Sequence, residues 1–266
     1  MIKTLVSIEV DLASSLAVRF ACQLGGLMEI EIHPVYVKES PPHDSAMGAG
    51  WASRTWEREM IEQGKEEISE LISAEKDFCP VLGEPRVIYG DREAELLKIA
   101  HLENFDLYVE GVHFPWTASD LYKRLHSKLY QKLPSTPVLV RTLRKINHVL
   151  LLCLDVAGTE ALCELFRKMW KNCPVPLTLA YPAGDATGPD GDALRQAVER
   201  ARGILEQLGC AVKAQDGLPA TPERYAADVL KDHGLVAIAV ERHVKKDGPE
   251  FAWLNLVKTS LLLAFL

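Results

Sequence analysis

A chain of 266 residues, 48% hydrophobic and 25% charged, has the balance of ordinary globular protein and the length of about two domains. Its net charge of −7 removes the electrostatic case for nucleic-acid binding, which needs a basic surface. No apolar run approaches the roughly 20 residues that span a bilayer.

The acidity is one-sided. The first 141 residues hold 15 Lys/Arg against 22 Asp/Glu and the rest 15 against 15, and much of the excess falls between Glu57 and Asp77, as on a solvated helix face. Met1 to Val10 reaches Glu9 and Asp11 too early for the apolar core of an export signal. A cytoplasmic protein is therefore expected.

Lys3–Val10 is a β-branched apolar run of the kind buried on both faces of a parallel sheet. Leu16, Phe20 and Leu24 follow at helical spacing until Gly25-Gly26. Glu29–Val37 is a second strand. Lys38–Thr55, with Pro41, Pro42, Gly48 and Gly50, predicts a long mobile loop that carries His43. Trp56–Lys76 is an amphipathic helix with Met60, Ile61, Ile68, Leu71 and Ile72 on one face. Then come a strand at Pro85–Tyr89, a helix at Glu93–Leu102, a strand at Asp106–Glu110, a helix at Ser119–Leu133 and a strand at Pro137–Arg141. This alternation predicts a doubly wound parallel sheet.

The second half repeats the plan. Strands are predicted at Asn147–Leu154, Val175–Tyr181, Cys210–Gln215, Leu235–Val240 and Ser260–Phe265. Helices are predicted at Thr159–Trp170, Ala193–Leu208, Pro222–Asp232 and near Phe251–Val257. Leu5–Ala13 resembles Leu151–Thr159, and Leu129–Val140 resembles Leu254–Phe265. Two domains, 1–141 and 147–266, joined through Thr142–Ile146, are expected.

Six cysteines (Cys22, Cys79, Cys153, Cys163, Cys173, Cys210) form no CxxC pair and have no histidines at zinc-ligand spacing. They are expected to be reduced, several of them in the core. No Walker loop, GxGxxG or GxSxG occurs. His113 follows a strand at the edge where open α/β sheets bind ligands, but no nucleophile stands at a telling spacing.

Several pieces in correct order resemble the universal stress protein family: Tyr36-Val37 ending the second strand, Gly90-Asp91, Asp106-Leu107-Tyr108-Val109-Glu110-Gly111, and Thr136-Pro137-Val138-Leu139-Val140-Arg141. The resemblance covers nearly all of the first half; the second, with Leu154-Asp155 and Leu235–Val240, is more divergent. It implies two tandem Rossmann-like, five-stranded parallel-sheet domains of the α/β class that form an intrachain pseudo-dimer, with a further homodimer left open. It also implies a nucleotide site. ATP-binding members carry Gly-x2-Gly-x9-Gly-Ser/Thr after the fourth strand, which brings backbone amides to the phosphates. Here Gly111 holds the first position, but Phe114 and Arg124-Leu125 take the later ones, and Glu241 takes the first position in the second half. The family's strand-1 acid falls on Glu9 and Asp155, where a helix-capping role competes with a ligand role.

The expectation is a non-catalytic stress-response protein without cofactor or metal. The ligand-facing candidates are Glu9, Val37, Gly111, His113 and Asp155. The partner would be an unidentified small ligand or a protein, not nucleic acid or membrane. A small-molecule-binding module and a nucleotide-dependent enzyme are the alternatives.

Overall fold

Strand β1 (Ile2–Ile8) is buried along almost its whole length, as the continuous apolar run requires. Helix α1 (Leu12–Gly25) starts where Asp11 accepts a hydrogen bond from the Ser14 amide at 2.7 Å. Strand β2 (Ile30–Glu39), helix α2 (Trp51–Lys76), strand β3 (Arg86–Gly90), helix α3 (Arg92–Glu103) and strand β4 (Leu107–Gly111) continue the first half. Helices α4 (Ala118–Leu125) and α5 (Lys128–Lys132) and strand β5 (Thr136–Val140) complete it. The computed structural model describes residues 1–39, 51–79, 81–113, 117–182, 189–218 and 233–266. The predicted helix at 222–232, most of the predicted loop after β2, and Phe114 to Trp116 lie outside them.

The second half runs β6 (Val149–Leu152), α6 (Val156–Met169), β7 (Leu177–Pro182), α7 (Pro189–Gln207), β8 (Val212–Leu218), β9 (Leu235–Val240), α8 (Pro249–Leu256) and β10 (Ser260–Phe265). All ten strands form one sheet in the order β3-β2-β1-β4-β5-β10-β9-β6-β7-β8. Pairing is parallel within each half, and β5 meets β10 antiparallel through Leu139↔Leu261 and Val138↔Leu262. Helices α1, α2, α6 and α7 cover one face; α3, α4, α5 and α8 cover the other. The sheet is thus covered on both faces, as parallel sheets require.

The structure corrects four expectations. The helix predicted over Ser119–Leu133 is two helices, because the Ser127 hydroxyl accepts from the Tyr130 amide and starts a second one. At the ends of the predicted loop, Lys38 belongs to β2 and Trp51 to Thr55 to α2. Cys22 and Cys79 are not reduced but joined in a disulfide. Finally, the expected match between the halves is one residue out. The Asp106 amide bonds the Lys3 carbonyl as the Gly234 amide bonds the His148 carbonyl, so Val6 corresponds to Leu151 and Val109 to Ala237. A slip of one residue would have put every strand side chain on the opposite face.

Candidate functional site

In each half the strand order reverses beside the first strand, between β1 and β4 and between β6 and β9. Such a reversal opens a crevice at the carboxyl ends of the strands, where doubly wound sheets bind ligands. In the first crevice Glu9 follows β1, and Gly111 and His113 stand at the end of β4. Val37 is buried near the end of β2. The structure thus gathers four of the five candidates at one sheet edge, while Asp155 lies in the other half.

Their roles differ from the sequence expectation. Gly111 is required by packing: a Cβ there would lie 1.8 Å from the Ala13 carbonyl oxygen, so β4 reaches the first turn of α1 only without a side chain. Register places Ala239, not Glu241, at the matching position of the second half. There the glycine is on the helix instead: a Cβ built on Gly158 would lie 3.1 Å from the Ala239 Cβ. The helix-capping acid of the first half is Asp11, and Asp155 does the same work in the second, accepting from the Gly158 amide at 2.7 Å. Glu9 is not the counterpart of Asp155. Its carboxylate pairs with Arg92 at 2.9 Å, and its amide donates to the Ser14 hydroxyl. His113 is exposed and bonds Asp11 through Nε2 at 2.7 Å. Val37 belongs to the core on the α3 face of the sheet and borders a cavity of about 310 Å³ beside Glu9 and Arg92.

The strongest electrostatic feature of the crevice escaped the sequence reading. Glu110 is only 3% exposed. Its carboxylate accepts hydrogen bonds from the hydroxyls of Tyr108 at 3.0 Å and Tyr130 at 2.8 Å. Arg92 approaches its other oxygen at 3.5 Å, and Arg124 is ion-paired to that oxygen. A buried carboxylate persists only with such partners. Burial and the neighbouring Tyr108 push the Tyr130 phenol up, so it remains a donor. Burial opposes the charge on Arg92, but its pKa is raised all the same, with the Glu9 carboxylate among the causes. Arg92 also donates to the Ser7 hydroxyl at 2.9 Å. The signal available in the sequence was a glutamate inside an otherwise apolar strand.

Outside this cluster lies a cavity of about 460 Å³, bordered by Arg92, Val112, His113, Lys123, Arg124 and Ser127 among others. Arg124 and Leu125, which replace the family's Gly-Ser pair, end α4 rather than begin a helix, and Leu125 is in the core. The amides at that point belong to a helix already formed. Among the described residues, no group of three His, Cys, Asp or Glu is placed to hold a metal, and no helix is long and apolar enough to cross a membrane.

Strand order and twin crevices define a tandem α/β protein of the doubly wound class. Over 99% of its length it is similar to the universal stress protein from Archaeoglobus fulgidus DSM 4304, at 12% identity and a TM-score of 0.63, covering 96% of that chain. A putative universal stress protein from Pseudomonas aeruginosa UCBPP-PA14 is similar over 99% of this chain and 92% of its own, at 15% identity and a TM-score of 0.55. A functionally unknown protein from Pseudomonas aeruginosa PAO1 covers the same shares, at 16% identity and a TM-score of 0.54. At these identities the likeness is one of fold. No protein-family model matches the chain, and no curated protein matches it by sequence.

Proposed function

We propose that this chain is a non-catalytic stress-response protein of the universal stress protein type, whose halves form an intrachain pseudo-dimer and whose first crevice no longer holds nucleotide phosphates. The observation that carries the reading is the buried Glu110 carboxylate, paired to both Arg92 and Arg124. Glu110 and Glu9 together balance the two guanidinium groups that could meet a phosphate, and Glu93 and Asp120 border the cavity that a phosphate would enter, where their charge repels it. The placement of Arg124 and Leu125 in the last turn of α4 supports the same reading, because their amides belong to a helix already formed and the next helix begins only at Lys128.

The test is a thermal scan with millimolar MgATP. A site of micromolar Kd would add roughly 4 kcal/mol at a thousandfold excess of ligand; we expect a shift below about 1 °C, and a shift of several degrees would refute the reading. A small-molecule-binding module is the second reading, supported by the cavity that Lys123, His113 and Ser127 border. Mass spectrometry of the protein as purified separates the two: a bound small molecule at one per chain favours the module.

A further inference from the structure

Of the six cysteines, four are free and buried: Cys153, Cys163, Cys173 and Cys210. Burial pushes the Cys153 thiol up to about 12 and raises the other three, so almost none is thiolate near neutral pH. The remaining two differ in kind. Cys22, in the last turns of α1, is bonded to Cys79, just past the end of α2. Both line an open surface groove of about 350 Å³ with Arg19, Gln23, Glu75, Phe78 and Leu143. Cys22 is half-buried and Cys79 only 2% exposed, so an incoming thiol meets the Cys22 sulfur first.

The surroundings allow the bond to open without unfolding the half. Beside it, Arg19 pairs with the buried Glu75 at 2.8 Å, and Ser15 donates to the same carboxylate. The Arg19 guanidinium lies 5.3 Å from the centre of the Phe78 ring. These contacts tie α1 to α2 independently of sulfur. Among the described residues, the turn past α2 is held by backbone bonds from Phe78 to Glu75, from Cys79 to Lys76 and from Leu82 to Cys79. Phe78 is 72% exposed.

We propose that Cys22–Cys79 is a reversible thiol–disulfide exchange site, open to a small dithiol through this groove, and that its reduction loosens the turn carrying Phe78 while the sheet stays intact. In the exchange, one sulfur of the dithiol attacks Cys22 Sγ as a thiolate. The Cys22–Cys79 bond breaks, and Cys79 leaves with the bonding pair and takes up a proton. The second sulfur of the reductant then attacks its partner in the mixed disulfide and releases Cys22, which is protonated in turn. Two electrons and two protons pass from the dithiol, which ends as a disulfide.

The full chain tests this without denaturant. After dithiothreitol treatment and alkylation, peptide mass spectrometry should find Cys22 and Cys79 labelled and the other four unlabelled, with the circular dichroism spectrum unchanged. Amide exchange should quicken at Phe78 and Cys79 but not in β1, and glutathione disulfide should restore the bond. A bond that resists reduction until denaturant exposes all six cysteines would overturn the proposal and make it a structural staple. Single variants fix the direction of attack. With glutathione disulfide, C79S should form an adduct at Cys22, while C22S should form none at Cys79; equal adducts on both would refute Cys22 as the entry sulfur.

Discussion

Gly111 shows how one residue can be kept for a reason other than the one its motif suggests. Gly111→Ala drives a Cβ into the Ala13 backbone, which no side-chain adjustment relieves, so the loss should reach about 3 kcal/mol or more. Gly203 in α7 meets nothing within 4 Å of a built Cβ, and Gly203→Ala should stabilise by roughly 0.5–1 kcal/mol. Urea unfolding of the two variants checks both; a neutral Gly111→Ala would mean that β4 and α1 can part freely. Glu110 gives the second prediction at this scale. Glu110→Gln leaves Arg92 and Arg124 facing a neutral group inside the protein, a loss on the order of 3 kcal/mol, read in the same unfolding assay. The glycine was legible in the sequence but its purpose was not, since the contact with Ala13 joins residues about a hundred positions apart. In the sequence Glu110 is only one residue of a strand pattern, because nothing local announces the tyrosines and arginines that converge on it.

Elements were legible where one pattern ran uninterrupted and were lost where two signals competed. Strands β1, β5, β9 and β10 are dense apolar runs, and their predicted ranges overlap the observed ones. The break between α4 and α5 went unread because apolar periodicity continues through it to Leu129 and Leu133, while the break comes from a single serine cap. The disulfide was hidden for another reason: Cys22 and Cys79 lie 57 residues apart, and only the packing of α1 on α2 brings them together. The α2–β2 contact has its own pH dependence. Glu67 on α2 accepts from Lys38 and from the Tyr36 hydroxyl, both on β2. The Lys38 hydrogen bond holds its carboxyl below the ordinary 4.5. The folded pKa is depressed, so the stability it contributes is complete above about pH 4.5 and is lost as pH falls through the folded value. Glu67 is partly exposed, which limits the effect to below about 1 kcal/mol. Glu67→Gln should therefore flatten the acid limb of a stability profile between about pH 5 and 3 while changing little at pH 7; an unchanged acid limb would place the sensitivity elsewhere.

At the scale of the molecule, the decisive feature is the junction of the two five-stranded sheets. Val138 and Leu139 of β5 and Leu261 and Leu262 of β10 are all buried there. An apolar strand at an open sheet edge invites association, and the antiparallel pairing gives each half's terminal strand a partner in the same chain. The junction extends beyond the ladder. The Arg242 guanidinium donates to the carbonyls of Tyr130, Gln131 and Leu133 at 3.1–3.3 Å, and Tyr122 meets the Phe251 ring edge-on. On the opposite side the Ile146 amide bonds the Gln23 side chain. Gly234 leaves room for the connecting segment, since a Cβ there would lie 2.4 Å from the Lys145 carbonyl oxygen. Removing residues 142–266 strips β5 of its neighbour and leaves an apolar edge with unpaired backbone groups. The isolated segment 1–141 should then pair with a second copy of itself through β5, or aggregate, whereas the full chain hides that edge. Sedimentation analysis of the segment decides the matter. A concentration-dependent dimer, or aggregate, is the expected result. A stable monomer of the segment would show that β5 needs no partner, and the pseudo-dimer reading would lose its physical basis.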